Sequence, residues 1–258
     1  MKIDKQLHPE ASRLILFFNG WSAPPALFRR LAVPPGTDCW IAYDYRDLTF
    51  DDAIRHYTDI RLIAWSLGVW VAEQIGRRYA CLPIRSAVAV NGTSRPIDAA
   101  YGIPPALFEG TLTHLSAEGI DRFTRRICGN RAIWETYRQA PARPTEAVAE
   151  ELLSLHQAIL SDETQRVQTV QDSLQTFPLA TSLSSPRASL RPSSLSSPLP
   201  ASPPAYIPWS QAILSRHDRI FPPENLHRYW SGRCPILEPE APHYPFYLWT
   251  QWNELWKV

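Results

Sequence analysis

Residues 62–76 read LIAWSLGVWVAEQIG. A short apolar run with the look of a strand passes through a single serine, Ser66, and continues with helical periodicity. The rest of the chain repeats the alternation. Apolar runs at 14–18, 39–43, 61–65, 86–90, 212–214 and 236–237 read as strands, the first and fourth closed by Asn-Gly. Most are continuously apolar rather than alternating, which marks strands buried on both faces of a parallel sheet. Helices are expected at 50–58, 67–79, 223–230 and 245–256. The expected fold class is α/β, a mainly parallel sheet with helices on both faces.

The interval between the fourth and fifth runs has a different character. LFEGTLTHLSAEGIDRFTRRICG, NRAIWETYRQ and PTEAVAEELLSLHQAIL read as helices laid over the sheet, a cap. FPLATSLSSPRASLRPSSLSSPLPASPPAY follows, rich in Ser, Pro and Leu and without helical period, and reads as a loose loop. The expected organisation is a core at 1–95 and 205–258, a helical cap at 96–175 and a Ser/Pro-rich loop or insertion at 176–204. A length of 258 residues suits one such domain with an insertion.

Bulk composition narrows the function classes. Net charge is +1, so whole-molecule charge selects no partner and no nucleic acid is expected. Cys39, Cys81, Cys128 and Cys234 show no CxxC spacing, and the start MKIDKQLHPEASR lacks a signal-peptide stretch. Reduced thiols and a cytoplasmic location are expected. No apolar run is long enough to cross a membrane, so no membrane association is expected. The seven histidines include no HExxH and no clustered pair, so neither a metal nor another cofactor is expected.

Ser66 lies in Ala64-Trp65-Ser66-Leu67-Gly68. A nucleophile placed between small residues where a strand becomes a helix is the elbow of α/β-hydrolases. The small flanks leave room for a sharp, strained turn. Alanine replaces the usual glycine at the first of them. The competing reading is an ordinary serine helix cap. An elbow needs a base and an acid, in the chain order Ser, acid, His. Asp218, just past the fifth run in AILSRHD, fits the acid; His243, in EPEAPHYPF after the sixth run, fits the base. Glu238 and Glu240 are rival acids too close in sequence to reach the far nitrogen of His243. The oxyanion would be held by two backbone N–H groups, those of Leu67 and of Trp21 in Phe18-Asn19-Gly20-Trp21-Ser22. For Trp21 the alternative is a core residue beside a plain turn.

The stretches FFNGWS (17–22), YDYRDL (43–48), AWSLGVWVA (64–72), VNGTSRPID (90–98), YGIPPALFEGTL (101–112), FTRRICG (123–129), DRIFPPENLHRYW (218–230) and HYPF (243–246) span nearly the whole chain. Together they resemble the BioG family of pimeloyl-acyl-carrier-protein methyl ester esterases. The resemblance implies an α/β-hydrolase fold, a triad of Ser66, Asp218 and His243, and removal of a methyl group that masks the pimeloyl carboxylate during biotin synthesis. Methanol leaves, and the acyl carrier protein with its phosphopantetheine arm stays outside.

Six arginines and one acid, Glu135, lie between 122 and 143. Acyl carrier proteins are acidic, so Arg122, Arg125, Arg126, Arg131 and Arg138 are candidate carrier contacts. The alternative is a solvated face with ion pairs to the acidic stretch 146–151. Trp65, Leu107, Phe108, Leu112 and Phe123 are candidates for the acyl channel, with core packing as the alternative. A monomer is expected. Rival functions are another carboxylesterase, an acyl thioesterase, or a non-catalytic acyl-carrier binding module.

Overall fold

The computed structural model describes residues 1–79, 81–175 and 206–256. The Ser/Pro-rich segment expected at 176–204 lies outside them. Seven strands form one sheet: β1 (Lys2–Gln6), β2 (Arg13–Phe18), β3 (Thr37–Tyr43), β4 (Asp59–Trp65), β5 (Ile84–Val90), β6 (Gln211–Ile213) and β7 (Ile236–Leu237). Their order is β1-β3-β2-β4-β5-β6-β7, and every pairing is parallel except β1 with β3. Every residue of 14–18 in β2, 62–65 in β4 and 86–90 in β5 is buried. Successive strand residues point to opposite faces, so both faces of the central sheet are covered.

The chain leaves β2 for β3 on one side and returns to β4 on the other. This reversal opens a crevice beyond the carboxyl ends of β2 and β4, where α/β sheets bind their ligands. The helices are α1 (Leu67–Arg78), α2 (Pro105–Leu112), α3 (Ala117–Cys128), α4 (Arg131–Tyr137), α5 (Thr145–Gln175) and α6 (Pro223–Trp230). Ser116 caps α3 by accepting from the Gly119 N–H, and Asn130 caps α4 by accepting from the Ile133 N–H. Met1–Gln157 and Ala205–Val258 form one compact unit and Ala158–Pro204 a second. Thus α2, α3, α4 and the start of α5 group with the sheet. Among the described residues no helix is long and apolar enough to cross a membrane.

Three elements differ from expectation. The strand β1 carries the polar sequence KIDKQ; it is an edge strand, so no apolar run announces it. The helix expected at 50–58 is one 3-10 turn, Asp52–His56, because the chain is extended again at Tyr57 to enter β4. The helix expected at 245–256 is two 3-10 turns, Phe246–Leu248 and Trp252–Trp256, with Trp249 extended between them. Backbone bonds from Ala32 N–H to Thr250 C=O and from Trp252 N–H to Ala32 C=O hold that break open. Phe246 and Trp252 are then buried in one aromatic cluster with Phe17 and Phe28.

Candidate active site

Ser66 sits between β4 and α1 at φ 59° and ψ −128°, a backbone region that side-chain-bearing residues rarely occupy. Its N–H donates to Val90 C=O at 2.9 Å, which fixes the turn against β5. The surroundings allow no bulk. A Cβ on Gly68 would lie 2.3 Å from the carbonyl oxygen of Phe18, and one on Gly92 would lie 2.2 Å from that of Ser66 itself. The end of β2 and the end of β5 therefore press against the elbow through backbone. The Ser66 side chain makes no cap hydrogen bond to α1. It points elsewhere, and the helix-cap alternative falls.

The hydroxyl lies 3.0 Å from His243 Nε2, and His243 Nδ1 lies 2.7 Å from Asp218 Oδ2. All three residues are buried. Asp218 Oδ1 accepts from the N–H groups of Ile220 and Phe221 at 2.7 and 3.0 Å, which leaves Oδ2 facing the imidazole. With the proton on Nδ1 donated to Asp218, Nε2 is the acceptor for the serine hydroxyl. The Phe221 ring lies parallel to the imidazole at 7°, centroids 6.0 Å apart. The Trp65 indole N–H and the Asn91 amide each donate to His243 C=O at 2.9 Å. Of the rival acids, Glu240 pairs with His217 and Arg216 instead.

Asn91 was legible only as a turn residue. It is fully buried at φ 46° and also bonds Ser215, its amide donating to Oγ at 2.8 Å and its Oδ1 accepting from N–H at 2.7 Å. One side chain thus joins the ends of β5 and β6 to the histidine loop.

The loop after β2 is organised by Asn19. Its Oδ1 accepts from the Gly20 N–H, its amide donates to Ala23 C=O, and its carbonyl accepts from the Tyr45 hydroxyl at 2.9 Å. Trp21 and Leu67 both line the cavity that contains Ser66. The Trp21 indole donates to Val148 C=O on α5 at 2.8 Å and its ring meets Phe123 on α3 edge-on, so the loop is tied to the helices above it. A buried charge cluster makes a second tie. Glu151, on α5, accepts from the Tyr45 N–H at 2.9 Å and pairs with Arg143 at 2.6 Å. Burial raises the Glu151 carboxyl pKa, and the Arg143 charge opposes the rise.

The cavity is narrow, with about 30 Å³ open to the centre of a water molecule. Its apolar wall includes Leu107 and Phe108 of α2, Phe123 of α3, and Ile103, Leu152 and Ile220. A wider outer cleft of about 480 Å³ adjoins it, sharing Trp21, Leu107, Thr111, Phe123 and Arg126 and adding Arg122. A path therefore runs from Ser66 outward between α2 and α3. Trp65 and Leu112 are not on the cavity wall; Trp65 is buried beneath His243 instead.

The five expected carrier-contact arginines divide. Arg122 and Arg126 line the cleft, whereas Arg125, Arg131 and Arg138 surround Trp134 in a separate depression. Arg125 and Arg138 lie over the Trp134 ring, and Arg125 and Arg131 pair with Asp121 and Glu135. Arg219 also lines the inner cavity and was not singled out in the sequence, because nothing local distinguishes it from other surface arginines. Among the described residues no cluster of His, Cys, Asp and Glu is placed to hold a metal ion.

A family model described as pimeloyl-ACP methyl esterase BioG matches residues 1–175 and 203–255. An uncharacterized protein of Haemophilus influenzae is 36% identical over 247 residues, covering 96% of this chain and 95% of that one. A malonyl-[acyl-carrier protein] O-methyltransferase of Bacteroides fragilis is 33% identical over 239 residues, covering 92% of this chain but 40% of the relative. The crystal structure of selenomethionine BioG from Haemophilus influenzae, 36% identical, superposes with a TM-score of 0.80 over 99% of this chain and 100% of its own. An esterase from Exiguobacterium antarcticum, 10% identical, superposes with a TM-score of 0.59 over 93% of this chain and 87% of its own, a likeness of fold. The fold is that of the α/β-hydrolases.

Proposed function

We propose, from the premise that this chain belongs to the BioG family, that it is a serine esterase cleaving the methyl ester of a pimeloyl-acyl-carrier protein in biotin synthesis. The observation that carries the reading is the hydrogen-bonded series Ser66–His243–Asp218 on a strained turn at the inner end of an apolar cavity.

The geometry supports an acyl-transfer mechanism in two halves. His243 Nε2 takes the Ser66 proton as Oγ attacks the ester carbonyl. The oxyanion that forms is held by the Leu67 and Trp21 N–H groups. Asp218 orients the ring and balances the positive charge it acquires. His243 then protonates the departing methoxide, and methanol leaves. Water, deprotonated by the same nitrogen, attacks the acyl-serine, and the acid and free Ser66 result.

The apolar wall suits a methylene chain entering ester first. The carrier protein then remains at the mouth, where Arg122 stands; Arg138 and the ion-paired Arg125 and Arg131 lie around the separate Trp134 depression and would add positive charge to the same docking face. The Bacteroides relative is named for methylating a carrier-bound malonyl group. This chain spans 40% of that relative, whose named reaction would form a carrier-bound methyl ester, the class of substrate proposed here. Another carboxylesterase or a thioesterase would use the same three residues.

A fluorophosphonate probe should label the wild type on Ser66 and fail on Ser66→Ala. Wild type should also restore growth of a biotin-requiring strain lacking its own esterase, and Ser66→Ala should not. Growth with both would remove Ser66 from the mechanism. Absence of labelling in the wild type would favour a non-catalytic carrier-binding module.

A further inference from the structure

From the cavity wall we infer that Arg126 and Arg219 form a carboxylate subsite beside Ser66, which binds the acid end of a medium-chain acyl group. Both arginines line the inner cavity. Apart from Ser66 and Thr111 the side chains around them are apolar, among them Leu107, Phe108 and Ile220. Neither guanidinium has an ion pair or hydrogen-bond partner among the described residues; Arg126 lies only near the edge of cation–π range of Phe123. Partial burial lowers the Arg126 pKa, with the charge of Asp218 working against it. Both side chains are exposed to solvent, and both line the same cavity as Ser66, so their guanidinium groups can meet a ligand bound there.

Two guanidinium groups without a protein partner among the described residues, on one cavity wall, offer paired donors to an anion. The inference rests on Ser66 being the esterase nucleophile, and the chemistry then supplies that anion. Hydrolysis turns RCOOCH₃ and water into RCOO⁻, CH₃OH and a proton, so the negative charge appears at the carbon Ser66 attacked. A carboxylate there accepts from a guanidinium fork in bidentate geometry. The phosphate of the carrier's arm is the other anion of such a substrate, but it lies at the far end of the acyl chain from the methyl ester. The subsite makes the enzyme retain its own product and leaves it open to free medium-chain acids.

Calorimetric titration with sodium heptanoate and with heptanamide, an uncharged analogue of equal length, tests this without relying on turnover. Heptanoate should bind the wild type at least about tenfold more tightly than heptanamide. The preference should vanish in R126Q/R219Q and return in part in R126K/R219K. Equal binding of acid and amide by the wild type overturns the subsite, whatever the variants do, and so does an undiminished preference in a folded R126Q/R219Q. Progress curves on carrier-bound ester distinguish the two sources of acid: retained product slows wild type as it accumulates, whereas a free acid slows it only when added. Loss of labelling at Ser66 would strike the esterase reading instead, leaving the titration interpretable.

Discussion

At the scale of single residues, the site depends on residues that never touch substrate. Gly92 is one. A methyl group there would meet the Ser66 carbonyl oxygen, a backbone atom with nowhere to go. Gly92→Ala should lower stability by roughly 1–3 kcal/mol in denaturant titration and lower kcat as the elbow shifts. Asn91→Ala removes two donors and one acceptor from buried partners. Each orphaned group costs about 1–3 kcal/mol, and kcat should fall because the His243 loop loses an anchor, with KM changing less. The cysteines offer a check on burial. Burial pushes the Cys39 and Cys128 thiols up to about 12, so both remain protonated at neutral pH. Cys81 is exposed. Iodoacetamide at mildly basic pH should label Cys81 first and spare Cys39 and Cys128 in the folded protein, as read by peptide mass spectrometry. Ser66, Asp218 and His243 were legible in the chain because a nucleophile elbow and its acid-then-base order are local and sequential signals. Asn91 was not, since Asn-Gly after a strand reads as a turn and only the tertiary structure brings Ser215 and His243 to it.

Between elements, the helices over the sheet are fastened to the loop after β2 through Trp21 and, by way of Tyr45, through Glu151. The Glu151–Arg143 pair is buried, with side-chain exposures of 0% and 7%. Glu151→Ala would leave Arg143 with Asp44 at 3.6 Å as its remaining carboxylate and strand the Tyr45 N–H, a loss of about 3 kcal/mol. The sign of the pH effect follows from the raised Glu151 pKa. A carboxylate raised on folding favours the protonated form, so its contribution is present below the unfolded pKa and is lost as pH rises through the folded one. Removing Arg143 removes a charge that opposes the rise. The stability deficit of Arg143→Gln relative to wild type should therefore widen from pH about 5 to about 8, followed by thermal unfolding. Such ties are invisible in sequence because Glu151 and Tyr45 are far apart along it. The strands fared better, since continuous apolar runs mark the parallel sheet. The edge strand β1 escaped because its exposed positions are polar, and the expected C-terminal helix failed because aromatic burial and the Ala32 bonds favour two short turns.

At the scale of the whole molecule, the cleft between α2 and α3 joins Ser66 to a surface carrying arginines. Arg122 stands in the outer cleft and not on the inner wall. Arg122→Glu should therefore lower kcat/KM for a carrier-bound ester several-fold relative to that for free dimethyl pimelate, chiefly through KM and more at low salt. An equal fall for both substrates would count against carrier docking at this mouth. The central claim is that Ser66 attacks the methyl ester and spares the thioester at the other end of the chain. Intact mass spectrometry of methyl-pimeloyl-acyl-carrier protein, incubated with enzyme, tests both halves together. The account predicts a carrier lighter by one methylene unit with its acyl chain retained, and no change with Ser66→Ala. A carrier stripped of its acyl chain, or demethylation by Ser66→Ala, would contradict it.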